Sequence, residues 1–144
     1  MPPPRCRILL IEDDESRIER ITGWLPSELR LVVARSAGRA IGTLRIDGPK
    51  TYAGIMLDHD LQQQAAVAAE ATLSGTDLVG VIIKRVDRDV PLLVHSMNTS
   101  RAPIMVERLK HVGFDVRYAP FQLLTKEAFL KWAEHIQDLW DDEE

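Results

Sequence analysis

Two carboxylates flank a histidine at Asp58-His59-Asp60, directly after the apolar run Ile55-Met56-Leu57. A second apolar run, 6–11, stops in Glu12-Asp13-Asp14, and a third ends in His95-Ser96-Met97-Asn98. Carboxylates are hard oxygen donors. Brought together they suit Mg²⁺ or Mn²⁺, which keeps several waters and takes one or two carboxylates plus a substrate phosphate. An ion held in that way can polarise a phosphodiester and acidify a water. Glu12, Asp13 and Asp58 are therefore candidate metal ligands. Imidazoles titrate near neutrality, so His59 and His95 are candidate acid–base groups. Ser96 and Asn98 offer uncharged hydrogen bonds to phosphate oxygens or a nucleobase.

Each of these residues also has a plainer reading. Side chains alternate along a strand, so His95 and Ser96 need not face the same way, and His95 can equally be a hydrogen-bonded core histidine. His59 lies past the strand end, where a solvated loop histidine is common. Asn98 can serve as a cap for the helix that begins near Ser100. His111 sits at a helix end, where it complements the helix dipole. His135 has no partner pattern and is assigned no role. The three tryptophans, Trp24, Trp132 and Trp140, fall at spacings that suit packing rather than an aromatic cage.

The elements that must position these groups alternate along the chain. Strands are expected at 6–11, 29–34, 52–58, 90–95 and 114–118. Asp14 or a neighbour caps a first helix bearing Ile18, Ile21, Trp24 and Leu25, which Pro26 ends. Ser36 caps a second, with Ala37, Ala40, Ile41 and Leu44 on one face. Further helices are expected at 75–86, at 100–111 before Gly113, and at 123–139 with Phe129, Trp132, Ile136 and Leu139 inward. This order implies an α/β fold: one doubly wound domain, a five-stranded parallel sheet with helices on both faces. In such a sheet the strand C-terminal ends lie side by side and ligands bind in the crevice outside them. Three strand ends bearing acids, histidine and hydroxyl thus predict one shared site. The connection 62–74, rich in Gln and Ala, exceeds the usual two to six residues; it reads as a tolerated insertion or as a lid.

Composition narrows the classes. The chain has 144 residues, enough for a single domain with a real core. Hydrophobic residues at 45% and charged residues at 28% are those of an ordinary globular protein. A net charge of −4 argues against broad nucleic-acid binding. One cysteine, Cys6, excludes an intramolecular disulfide or a cysteine zinc cluster, and its place on an apolar strand predicts a buried, inert thiol. No run approaches a membrane span, and the start lacks the apolar core of a signal peptide, so a cytoplasmic protein is expected. Residues 1–5 and 140–144 read as flexible tails. Walker loops, nucleophile elbows, glycine-rich dinucleotide turns and His-Glu-x-x-His are all missing from the sequence. The helix after Ser96 is expected to set Arg101, Arg108 and Lys110 along one side of the cleft, which would favour a phosphate-bearing ligand.

The residues resemble a known family. Ile8-Leu9-Leu10-Ile11-Glu12-Asp13-Asp14-Glu15 is similar to the first strand and acid pair of a response-regulator receiver domain. By that resemblance Asp58 matches the phosphoacceptor aspartate, Ser96 matches the Ser/Thr that contacts the phosphoryl group, and Asp60 offers its backbone carbonyl to the metal, leaving its side chain for ligand. There are departures. Ala119 stands where receivers carry a lysine before Pro120, and Val116 replaces the switch aromatic. The cation that pairs with the acceptor carboxylate is lost, which disfavours ordinary phosphorelay. Leu57-Asp58-His59-Asp60-Leu61 together with His95-Ser96-Met97-Asn98 is similar to the cyclic-phosphate-processing receiver subfamily.

That resemblance implies a divalent cation and a phosphate-ester small molecule, a cyclic nucleotide, either turned over by a metal-dependent phosphoesterase or only sensed. Two other readings stand beside it. One is a receiver phosphorylated on Asp58 in signal transduction, with His59 or an arginine replacing the lysine. The other is a pseudo-receiver interaction module that forms a homodimer or docks a partner through the last strand and helix. None of the three calls for a membrane or for direct nucleic-acid binding.

Overall fold

The computed structural model describes residues 6–58 and 75–142; the expected lid at 62–74, and His59 and Asp60, lie outside them. Five parallel strands form one sheet in the order β2-β1-β3-β4-β5. They are β1 (Cys6–Ile11), β2 (Leu29–Ala34), β3 (Gly54–Leu57), β4 (Leu92–Val94) and β5 (Val116–Tyr118). The helices are α1 (Glu15–Trp24), α2 (Ala37–Ile46), α3 (Gly75–Arg85), α4 (Arg101–His111) and α5 (Lys126–Asp142), with a 3₁₀ turn at Phe121–Leu123.

The inner strands β3 and β4 are apolar and buried throughout because both faces are covered, while β1, β2 and β5 each carry one arginine, Arg7, Arg30 and Arg117. Leu9, Ile11, Ile55, Leu57, Leu92 and Val94 pack toward α2, α3 and α4. Their neighbours Ile8, Leu10, Met56 and Leu93 pack toward α1 and α5 with Phe129, Trp132 and Ile136. Gly54 is required at the tightest point of that second layer. A β-carbon there would come within 2.9 Å of Trp132 Cη2 and 3.1 Å of Ile136 Cδ1.

Local chemistry sets the helix ends. Asp14 Oδ1 accepts from the Arg17 N–H at 3.0 Å and Ser36 Oγ from the Arg39 N–H at 3.1 Å, as expected of N-caps. Gly113 follows α4 with φ +101°, the left-handed region that a glycine enters without strain. The last helix departs from expectation. Pro120 leads into the 3₁₀ turn, and Thr125 Oγ1 accepts from the Ala128 N–H at 3.1 Å, so Thr125 rather than Leu123 marks the start. The helix runs through Asp142 instead of giving way to a tail at Trp140, which packs against the core. Leu139, expected inward, is 39% exposed. β3, β4 and β5 are each shorter than the apolar runs that contain them.

Among the described residues no helix is long and apolar enough to cross a membrane. Cys6 is buried and burial, helped by the Asp141 carboxylate, pushes its thiol up to about 11, in keeping with an inert cysteine.

Candidate functional site

The chain leaves β1 for β2 on one side and returns to β3 on the other, so the ends of β1 and β3 are adjacent and open onto a crevice. Register then decides which side chains meet. Ile11 pairs with Leu57 and Leu57 with Val94, so Glu12, Asp58 and His95 come abreast as the next residues outward. Backbone bonds continue the ladders this far: the Asp58 N–H donates to Ile11 at 3.2 Å and the His95 N–H to Leu57 at 2.9 Å. By the alternation of the pleat these three project to the face that carries α1 and Phe121.

Glu12, Asp13 and Asp58 each offer one carboxylate oxygen within 4.8 Å of the others. Two ionised carboxylates at that spacing repel by roughly 3.5 kcal/mol at an effective dielectric near 20, so the cluster needs countercharge. Part of it comes from hydrogen bonding to Glu12, which is fully buried. Its Oε2 accepts from the N–H groups of Asp13 at 2.9 Å and Asp14 at 3.2 Å. Its Oε1 lies 3.2 Å from His95 Nε2 and 3.5 Å from Arg17 Nη1. Burial alone raises the Glu12 carboxyl, but His95, the Asp14 N–H and Arg17 outweigh it and hold Glu12 well below the ordinary range. Asp13 is pushed the other way, by burial and by the neighbouring Glu12. The donor set fits a hard divalent cation: all oxygen, anionic and contributed by two adjacent strand ends.

His95 is fully buried, with Phe121 edge-on at 6.2 Å between ring centroids. Because Glu12 is ionised, Nε2 is the donor in their bond, and Nδ1 has no hydrogen-bond partner among the described residues. His95 therefore touches the acid cluster through Glu12. Ser96 is also fully buried, and its Oγ accepts from the Asn98 N–H at 3.2 Å. Asn98 Oδ1 accepts from the N–H groups of Ser100 at 3.1 Å and Arg101 at 2.9 Å, which caps the start of α4. Ser96 and Asn98 thus share the loop after β4, while His95 looks back across the strands to Glu12. From sequence His95 could face ligand or core, and the geometry gives it a core partner that is itself a site residue.

One residue of the site was not anticipated. Arg17, in the first turn of α1, reaches Glu12 Oε1 at 3.5 Å and Asp58 Oδ2 at 3.8 Å. Its guanidinium lies 5.4 Å from the Phe121 ring centroid and its Nη2 is 3.5 Å from the Met97 sulfur. Ala119, whose N–H continues the sheet by donating to Val94, brings only a methyl group. A signal was present in the sequence. A cation in a helix's first turn opposes the dipole by about 0.3–1 kcal/mol, and Arg17 follows its cap Asp14 by three residues, so it needs a compensating anion nearby.

Arg108 lies elsewhere. It sits on the last turn of α4 and lines a groove of about 430 Å³ with Arg45, Lys84 and Arg85, at the opposite end of the helix from the strand-end cluster. This corrects its expected place beside the cleft: α4 starts near the cluster and runs away from it. His135, given no role from sequence, pairs with Asp115 at 3.1 Å on the surface.

Known structures share this arrangement of strands. A sensor protein from Polaromonas sp. JS666 matches with a TM-score of 0.65 at 19% identity, over 94% of this chain and 98% of that one. Chemotaxis protein CheY4 of Vibrio cholerae matches at 0.65 and 16%, over 92% and 99%. The receiver domain of sensor histidine kinase PA1611 from Pseudomonas aeruginosa PAO1, with a magnesium ion coordinated in its active-site cleft, matches at 0.64 and 18%, over 94% and 97%. At these identities the likeness establishes the receiver fold. No curated protein matches in sequence. The model of the cyclic-phosphate processing receiver domain matches residues 8–111, which include Glu12, Asp13, Asp58 and the His95-Ser96-Met97-Asn98 run, and so the chain belongs to that receiver family.

Proposed function

We propose that this receiver-fold protein binds a divalent cation, Mg²⁺ or Mn²⁺, through Glu12, Asp13 and Asp58 and takes a phosphate ester, a cyclic nucleotide, at that cation. The observation that carries the reading is the meeting of three carboxylate oxygens within 4.8 Å at the β1/β3 switch point. The family match, and the magnesium held by the Pseudomonas receiver, support it. The bound ion would supply Lewis-acid polarisation of a phosphoryl oxygen.

The chain's own residues supply the rest. Glu12 is kept anionic by four donors and anchors the cluster; His95 holds Glu12 in place from the core side. Ser96 and Asn98 shape the β4–α4 loop beside the crevice, where they meet phosphate or base. His59 and Asp60, which follow Asp58 directly in sequence, are assigned acid–base and ligand-contact roles on sequence grounds.

Phosphorus NMR of 2′,3′- and 3′,5′-cyclic nucleotides with Mg²⁺ or Mn²⁺ tests the reading, with Asp58→Ala as control. A new phosphomonoester peak that needs Asp58 identifies a phosphoesterase. Metal-dependent broadening of one ligand without turnover identifies a sensor. Spectra that stay unchanged with every nucleotide exclude both.

A second reading is favoured by one contact, that of Arg17 with Asp58. A cation beside this aspartate suits a carboxylate that accepts a phosphoryl group in signalling. Beryllofluoride, a phosphoryl mimic, should then perturb backbone resonances of the β4–α4 loop and α5. The exposed Tyr118 and Leu123 on the β5–α5 edge suit the remaining reading, an interaction module that forms a homodimer there. Sedimentation with and without metal measures it.

A further inference from the structure

Resting on the reading of a phosphate-ester site, we infer that Arg17 is the cation that receives the phosphoryl oxygens of the ligand. Four observations carry it. Arg17 spans the cluster, touching carboxylates that follow two different strands, at 3.5 Å and 3.8 Å. Both distances are long against the roughly 2.7–2.9 Å of a tight charge-assisted bond, so the guanidinium attends the acids without being locked to them. A guanidinium carries five N–H donors in a planar fork suited to two phosphate oxygens at once.

Its exposure is the second. The Arg17 side chain is 24% exposed, whereas the Glu12 and Asp58 side chains it touches are 0% and 3% exposed. One edge of the fork faces the buried acids, and the group as a whole still reaches the surface on which a ligand arrives.

The third is its mounting. Phe121 lies beneath the guanidinium at 5.4 Å, and the Met97 sulfur lies beside it. Stacking on a ring face restricts the plane of the fork while allowing it to slide, at a stabilisation of about 0.5–1 kcal/mol.

Charge is the fourth. The three carboxylates of the cluster sum to −3, so a divalent ion alone leaves −1, which repels a phosphate. Arg17 brings the filled site to zero. Arg17 reaches both Glu12 and Asp58, whereas His95 meets Glu12. Arg17 is thus what allows an acidic metal site to admit an anion, and its planar fork selects phosphoryl oxygens over a monodentate anion.

The test separates metal from phosphate. Mn²⁺ affinity is read by electron paramagnetic resonance. Phosphate contact is read by the Mn²⁺-induced relaxation of ³¹P in inorganic phosphate and in 3′,5′- and 2′,3′-cyclic AMP. Arg17→Ala should bind Mn²⁺ at least as tightly as wild type, since a competing cation is gone, and should hold the phosphate probes at least tenfold more weakly. Arg17→Lys, which keeps the charge and loses the fork, should fall between them. Arg20→Ala should behave as wild type, because Arg20 also lies 5.4 Å from Phe121 but makes no ion pair with the cluster. Phosphate binding unchanged in Arg17→Ala overturns the inference and leaves the phosphate site standing. Parallel loss of Mn²⁺ and phosphate in Arg17→Ala also overturns it, by making Arg17 a structural support. Wild type that relaxes no phosphate probe removes the underlying reading itself. If Arg17→Ala does not fold, Arg17→Lys decides: weakened phosphate with Mn²⁺ unchanged supports the inference, and unchanged phosphate overturns it.

Discussion

His95 Nε2 and Glu12 Oε1 lie 3.2 Å apart with both side chains fully buried, 83 residues apart in the chain. This bond links the end of β4 to the end of β1 across β3, and so ties two walls of the crevice together. A buried carboxylate that loses a hydrogen-bond donor costs about 1–3 kcal/mol. His95→Ala should therefore destabilise the protein by at least that amount, since a cavity is added. A double-mutant cycle with Glu12→Gln should return a coupling of about 1 kcal/mol or more in urea unfolding. Additive effects would show that the two side chains are merely neighbours.

Three carboxylates gathered at one point should make the protein respond to divalent cations. Mg²⁺ at a hundredfold excess over its Kd is expected to stabilise the fold by about 2.7 kcal/mol, visible as a rise in Tm. Asp58→Asn should abolish most of that rise, because Asp58 is the one ligand contributed by β3. A variant that gains as much from Mg²⁺ as wild type would place the ion elsewhere.

The cap of α1 should make stability sensitive to acid. The Ser16 hydroxyl and then the Arg17 N–H hold the Asp14 carboxyl below its usual value of 3.8. A carboxyl with a depressed folded pKa contributes stability that is present above the unfolded value and is lost as pH falls through the folded one. Asp14→Asn keeps an N-cap but has no charge to titrate, so its unfolding free energy should fall less steeply than wild type below about pH 4. Asp14→Ala should cost about 1 kcal/mol at neutral pH. Parallel acid-unfolding curves for wild type and Asp14→Asn would remove the capping carboxylate from the account.

Gly54→Ala should be costly in spite of its small size. The added methyl meets the Trp132 ring at 2.9 Å and 3.1 Å and Ile136 at 3.1 Å. Overpacking of this kind costs about 1–3 kcal/mol. Chemical denaturation measures the loss, and a shift in tryptophan emission would report that Trp132 has moved.

Cys6 should resist thiol reagents in the folded protein. It is 5% exposed and its pKa is pushed up to about 11, so at neutral pH it is a shielded neutral thiol. Alkylation with iodoacetamide should begin only as the protein unfolds in denaturant. Rapid labelling under native conditions would mean that the edge of β1 opens.

Much of this was legible in the chain. The apolar runs, the caps at Asp14 and Ser36 and the terminating Gly113 are local signals, because a turn or a cap depends on a few consecutive residues. They were enough to predict a parallel α/β sheet, and with it the expectation that acids at strand ends would converge. Asp58, Asp13 and Glu12 do converge. Their meeting follows from fold class alone, since all strands of a parallel sheet end on the same side.

Residues whose roles depend on register and helix placement were beyond that reach. Leu57 aligns with Val94, which brings His95 abreast of Asp58 and turns it inward to Glu12. The sequence left this open because a one-residue slip reverses the face of every side chain on a strand. Asn98 could have met ligand or capped α4; the capping bonds appear only once the helix start is placed in space. For Arg17 the sequence held only the hint of a cation in a helix's first turn, because its partners follow two strands, one of them 41 positions away at Asp58, and only the docking of α1 over the sheet swings it there. The sequence by itself determined the elements, their parallel order and the acids at their ends. Which charged group answers those acids was decided by tertiary structure, because it depends on the packing of α1 and Phe121 against the sheet, and no local pattern encodes that orientation.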